Sequence, residues 1–148
     1  MELQYEYEPA TDADKEYFEA LNEACYTDVV TRQFGRWDPE FQRTNFNTKW
    51  QTHAYRKILV EGKVCGGFWV EEQAGWRQLR ELQIHPRFQG RGIGTHILRW
   101  VISGSVSDGR RLRLRVLHEN RAFELYRRMG FEVIDDGETH FVMEYKGK

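Results

Sequence analysis

Cysteine is scarce in this chain: Cys25 and Cys65 are the only two among 148 residues. They stand far apart, in no redox or metal-binding spacing, so a disulfide framework is excluded and two reduced, mostly buried thiols are expected. Charge of one sign is nearly absent as an excess. The formal net charge is −1, whereas proteins that bind phosphate backbones show a clear basic surplus, so nucleic acid is not expected as the partner. No apolar run approaches the ~20 residues needed to span a bilayer, and no membrane partner is expected. Met1 to Glu6 lacks the basic and apolar regions of a signal peptide, which makes a cytoplasmic location the expectation. The histidines, His53, His85, His96, His118 and His140, are scattered, and no metal site can be argued from them.

What the chain has is enough apolar material for a core. Hydrophobic residues make up 40% and aromatics 14%, which suits one domain over residues 1–148, with no repeat, low-complexity tract or linker. Alternation from Leu3 to Glu8 predicts a first strand. Pro9, with Thr11 or Asp12 as cap, introduces a helix to about Val30, and Asp38-Pro39-Glu40 starts a second helix whose Phe41, Asn45, Phe46 and Trp50 share part of a face. Tyr55 to Val60, Val64 to Glu71 and Trp76 to His85 read as three strands joined by tight turns, and Pro86 ends the third. A helix to about Ser105, a strand from Leu112 to Leu117, a short helix, and strands Phe131 to Ile134 and His140 to Tyr145 complete the order. Arg110, Arg111, Arg113 and Arg115 interleave with Leu112, Leu114 and Val116, the pattern of one polar and one apolar strand face.

Gln89-Gly90-Arg91-Gly92-Ile93-Gly94 lies between a strand and a helix. Glycines at alternate positions let the backbone approach a ligand and present its N–H groups, and the helix start adds its positive dipole end. That combination suits a pyrophosphate, with Arg87 and Arg91 able to add charge. Thr95 stands where the dinucleotide fingerprint needs a third glycine, and the Gly-Lys-Ser/Thr of the Walker loop is missing. The run resembles instead the Gln/Arg-x-x-Gly-x-Gly/Ala signature of the GNAT superfamily of N-acetyltransferases, which holds the pyrophosphate of acetyl-CoA. Asn120 to Phe131 resembles the superfamily's second signature: Ala122, Leu125, Tyr126 and Met129 recur at helical spacing, Asn120 suits the N-cap, and Gly130 suits the C′ position. The two resemblances cover the C-terminal half. They imply an α/β (α+β) fold with a central mixed, mostly antiparallel twisted sheet of about seven strands and about four helices, and the element order read from the residues agrees with it.

The resemblance implies an acyltransferase that moves an acetyl group from acetyl-CoA to a primary amine, with a non-catalytic acyl-CoA-binding module as the alternative. The cofactor would be held by Gln89, Gly90, Arg91, Gly92, Ile93, Gly94 and Thr95, and by main-chain pairing of Leu82, Gln83 and Ile84 with the pantetheine arm. The N–H of Leu82 would stabilise the oxyanion. Tyr126 sits where the family often carries the acid that protonates the departing thiolate; the alternative for a tyrosine on an apolar stripe is plain packing. Asn120 would bond the pantetheine, cap its helix, or both; it stands six residues before Tyr126 where many relatives have seven. Glu81 is the first choice for the base that deprotonates the acceptor, against a solvated position on a half-exposed strand. Phe34 and Trp37 would floor the acceptor pocket, and Asp38 and Glu40 would attract a cation or serve as helix cap and first-turn acid. A small-molecule amine is expected as acceptor, and a homodimer is possible by the same resemblance.

Overall fold

A computed structural model describes residues 3–51 and 55–147 of the protein; His53 lies outside them. The elements are β1 (Tyr5–Pro9), α1 (Lys15–Phe34), α2 (Pro39–Gln51), β2 (Arg56–Val60), β3 (Lys63–Gln73), β4 (Trp76–Ile84), α3 (Ile93–Ser107), β5 (Leu112–Leu117), α4 (Ala122–Arg128), β6 (Phe131–Asp136) and β7 (His140–Tyr145). Short 3-10 turns cover Asp12–Asp14 and Pro86–Phe88. The strands form one seven-stranded sheet in the order β1-β2-β3-β4-β5-β7-β6. β4 and β5 pair in parallel, while β1/β2, β2/β3, β5/β7 and β6/β7 are antiparallel. This is the mixed sheet with four helices that the sequence predicts.

By contacts the chain falls into two units, Met1–Trp69 with Glu81–Gly94, and Val70–Arg80 with Thr95–Lys148. The first has an aromatic core. Phe18 and Leu21 of α1 meet Phe46 and Trp50 of α2 and Tyr55 and Trp69, with Ala10, Tyr17 and Cys25 packed against them. Ring centroids are 5.0 Å apart for Phe18 and Tyr55 and 5.4 Å for Trp50 and Tyr55, within the range where aromatic pairs attract beyond their area. Phe46 and Trp50 are one helical turn apart, so they set the inward face of α2. Phe41, expected on that face, is 62% exposed, because a residue five positions before Phe46 points to a different side of the helix. α1 runs on past the expected end at Val30. Nothing in Thr31 to Phe34 breaks a helix, and it closes where Gly35 donates its N–H to the carbonyl of Thr31 at 2.8 Å.

Gly66 and Gly67 of β3 let other groups come close. A methyl on Gly67 would lie 2.2 Å from a ring carbon of Phe18 and 3.0 Å from the carbonyl oxygen of Arg56, and one on Gly66 would lie 2.2 Å from the carbonyl oxygen of Gln83. Both glycines are buried. The packing of Phe18 against β3 therefore requires hydrogen at that position.

In the second unit, Leu112, Leu114 and Val116 of β5 are buried and the arginines between them turn to internal partners. Arg113 donates to Glu144 at 2.8 Å and lies over the Trp76 ring at 4.7 Å, Arg115 contacts His140 at 3.2 Å, and Arg110 donates to the carbonyls of Gln73 and Trp76. Glu144 is 5% exposed. Lys146 at 2.9 Å and Arg113 hold its carboxyl below the ordinary range against the opposing effect of burial.

Two stability predictions follow from these contacts. Gly67→Ala forces Phe18 out of its place and costs about 1–3 kcal/mol in chemical denaturation; an unchanged midpoint would mean that β3 yields freely. Glu144 has a lower pKa folded than unfolded, so its contribution is present above the unfolded value and is lost as pH falls through the folded one. Glu144→Gln is therefore expected to unfold more easily at pH 7, with the gap from the parent closing below about pH 4. A pH-independent gap would assign Glu144 a purely steric role.

Candidate functional site

The glycine run follows β4 directly. After Ile84 the chain makes a 3-10 turn in which the N–H of Phe88 donates to the carbonyl of His85 and His85 Nδ1 accepts from the N–H of Arg87. Gln89 folds back, its Nε2 donating to the carbonyl of Ile84 at 2.8 Å. Gly90 and Gly92 then take φ values of +80° and +81° with open space where a Cβ would stand. Only glycine adopts that conformation at little cost. α3 starts at Ile93, whose side chain is buried and anchors the helix start. The first N–H groups of a helix have no preceding turn to bond, and here they open beside two side-chain-free residues. Arg91 packs its guanidinium over Phe88 at 5.4 Å and donates to the carbonyl of Arg87 at 3.3 Å. Such a loop fits a ligand with several anionic oxygens. Gly94 differs from the other two: a Cβ there would meet only Ile84 Cγ1 at 3.8 Å, an ordinary contact that alanine could also make.

The end of β4 has two distinct edges. The carbonyl of Gln83 points at Gly66, and the N–H of His85 donates to the carbonyl of Cys65 at 2.8 Å, so alternate main-chain groups of β4 face β3. By strand alternation those of Leu82 and Ile84 face the other edge. The β4/β5 ladder runs from Arg77↔Leu112 to Leu79↔Leu114, so these positions lie beyond its last pair. The buried side chain of Gln83 donates to Asn22 of α1 at 3.0 Å. Cys25 donates from Sγ to the carbonyl of Ile84 at 3.3 Å; burial, and next the neighbouring Glu81 carboxylate, push its thiol up to about 11, which keeps it protonated and inert at neutral pH.

Glu81 is not a solvated surface residue. It is 7% exposed, and both its oxygens are engaged: Oε1 accepts from Tyr26 Oη of α1 and Oε2 from Lys49 Nζ of α2, each at 2.9 Å. A buried carboxylate with this pair of partners is paired and hydrogen-bonded, as burial requires. Tyr26, Lys49, Asn22 and Cys25 are missing from the site read off the sequence. One signal was there: Phe18, Asn22, Cys25, Tyr26 and Val29 recur at helical spacing on α1, so polar groups sit on the face that packs inward.

Between α1 and α2 lies a hollow of about 80 Å³ lined by Glu19, Asn22, Glu23, Trp37, Pro39, Gln42, Arg43 and Phe46. Trp37 is in its wall. Phe34 is not among those residues; it is 51% exposed at the end of α1. Asp38 Oδ1 accepts from the N–H of Phe41 at 3.2 Å, so Asp38 caps α2. In the second unit, Asn120 Oδ1 accepts from the N–H of Ala122 at 2.9 Å, capping α4. Tyr126 is half-buried on α4, its ring 5.9 Å edge-on from that of Phe131. His140 Nδ1 contacts Thr139 Oγ1 at 2.7 Å and Arg115 at 3.2 Å, a structural setting. Among the described residues no group of three or more His, Cys, Asp or Glu could hold a metal ion, and no helix is long and apolar enough to cross a membrane.

Comparison with known proteins gives the same outline. Residues 51–133 match the model of a family described as acetyltransferase (GNAT) domain. A GCN5-like protein acetyltransferase of Mycobacterium tuberculosis is 42% identical over 66 residues, 43% of this chain and 32% of that protein. An uncharacterised N-acetyltransferase of Methanocaldococcus jannaschii is 38% identical over 72 residues, 46% of this chain and 32% of its own length. The chain thus matches about a third of the length of these two relatives. Among solved structures, the PaiA N-acetyltransferase of Thermoplasma acidophilum in complex with coenzyme A superimposes with a TM-score of 0.78 at 19% identity, over 97% of this chain and 99% of that one; at that identity the likeness is one of fold.

Proposed function

The chain belongs to the GNAT acetyltransferase family, and on that premise we propose that it transfers an acetyl group from acetyl-CoA to the primary amine of a small molecule. The observation that carries this reading is the loop Gln89 to Gly94, where two glycines of positive φ open onto the start of the 15-residue α3. Backbone N–H groups there would hold the pyrophosphate, with Arg87 and Arg91 adding charge.

Acetyl-CoA supplies an activated thioester. The main chain of Leu82 and Ile84 lies on the edge of β4 turned from β3, where the carbonyl of Leu82 and the N–H of Ile84 would pair with the pantetheine arm. Gln83 supports that edge through its bond to Asn22 rather than by pairing. The Leu82 N–H is the donor for the oxyanion. Asn120, whose oxygen caps α4, keeps its amide nitrogen as a donor toward the ligand. Tyr126 is the acid for the departing thiolate, and Glu81 is the base for the acceptor ammonium. The acceptor region is the hollow beside Trp37, where Glu23 offers a carboxylate to a cation while Glu19 is paired with Arg43 at 3.4 Å.

One observation favours a second reading. Both oxygens of Glu81 are engaged by Tyr26 and Lys49, as in a carboxylate that braces helices, and this suits a module that binds acyl-CoA without turning it over.

A thiol-release assay with acetyl-CoA against aminoglycosides, polyamines, amino acids and lysine peptides separates the two, with calorimetric binding of coenzyme A run beside it. Turnover of an amine is expected; tight binding with no turnover favours the binding module, and no binding contradicts both. Gly92→Val should weaken coenzyme A binding at least ~10-fold while the protein stays folded, and unchanged affinity would remove the loop from the site. Tyr126→Phe should lower kcat on the order of 10²-fold with little change in coenzyme A affinity; equal kinetics would return Tyr126 to a packing role.

A further inference from the structure

Glu81 already holds an ammonium group of the chain itself. Lys49 Nζ is 2.9 Å from Glu81 Oε2, while Tyr26 occupies Oε1, so Oε2 is the oxygen turned to an amine. The Glu81 side chain is 7% exposed, whereas that of Lys49 is 32% exposed and reaches the buried carboxylate from the solvent side. A productive acceptor must place its amine within hydrogen-bond reach of the base and beside the acyl carbonyl. Lys49 meets the first condition in the structure. For the second, the edge proposed above for the donor begins at Leu82, the residue directly after Glu81.

We propose that Lys49 is an internal acceptor and that the protein acetylates its own Lys49 when acetyl-CoA is present without a competing amine. The inference rests on the acetyltransferase reading. In the step, Glu81 takes a proton from the Lys49 ammonium and the freed lone pair of Nζ bonds to the acetyl carbonyl carbon. The C–S bond then breaks, Nζ sheds its second proton to become the amide nitrogen, and that proton ends on the departing thiolate to give the free thiol. Lys49 becomes a neutral amide, which can still donate one hydrogen bond but no longer provides a cation for Glu81. An external amine and Lys49 thus compete for one carboxylate, and self-acetylation removes the internal competitor.

The test is peptide mass mapping of the intact protein after incubation with acetyl-CoA alone. Lys63, exposed at the start of β3, serves as the internal measure of uncatalysed acetylation. A single acetyl group is expected on Lys49 at a rate at least ~10-fold above that of Lys63. Glu81→Gln should bring Lys49 down to the rate of Lys63, with circular dichroism and coenzyme A calorimetry showing that the variant is folded. If that variant does not fold, the parent supplies the second arm: an amine that turns over in the thiol-release assay should slow acetylation of Lys49 and not of Lys63. Equal rates at Lys49 and Lys63, or no effect of either Glu81→Gln or a competing amine, would overturn the proposal while leaving the acetyltransferase reading intact. Failure of the protein to bind coenzyme A or to release thiol with any amine would overturn that reading, and self-acetylation with it.

Discussion

The contact between Gly66 and the Gln83 carbonyl sets how the last residues of β4 are used. A strand offers its main-chain groups alternately to two edges, and the close approach at Gly66, together with the bond from His85 to Cys65, assigns one set to β3. Leu82 and Ile84 are thereby turned to the opposite edge, beyond Leu79, the last residue of β4 in the ladder with β5. The strand's side chains follow from the same geometry: Gln83 meets Asn22, and Glu81 meets Tyr26 and Lys49. A short segment of backbone thus presents an edge turned from β3, a support for α1 and the seat of a buried carboxylate.

The surrounding packing keeps that segment in place. α1 is held over the sheet by Phe18 and Leu21, α2 by Phe46 and Trp50, and each helix contributes one polar group to Glu81. Removing either polar partner would leave a buried carboxylate short of a hydrogen bond, a cost of about 1–3 kcal/mol, and more where charge is unpaired. Glu81 therefore couples the register of both helices to β4. Gln89 and Cys25 act in the same direction on the Ile84 carbonyl, tying the glycine loop and α1 to the strand end.

The fold was legible because its signals are local. Alternation marks β5 and β7, paired breakers mark the turns, and Asn120 and Gly130 bracket α4. The glycine loop was legible because Gly90 and Gly92 adopt a backbone conformation that few other residues accept. Boundaries were less so: α1 outruns Val30 since nothing stops it before Gly35, and Phe41 misses the inward face of α2 because the heptad phase is set by Phe46 and Trp50. The partners of Glu81 were not legible at all. Tyr26 lies 55 residues and Lys49 32 residues away in sequence, and no local pattern says which of many polar residues on two helices will meet one strand carboxylate. The separate edges of Leu82 and Gln83 were hidden for a similar reason, since strand alternation gives the period and only the neighbouring strand gives the phase.

The central claim, that the glycine loop and the edge of β4 turned from β3 together bind coenzyme A, is tested most directly by titrating the labelled protein with coenzyme A and following its backbone amides by two-dimensional NMR. The account predicts large shifts for the amides of Gly90 to Thr95, Leu82 and Ile84, with the amide of Gln83 moving least along that strand. Shifts confined to other regions, or a Gln83 amide that moves more than those of Leu82 and Ile84, would contradict it.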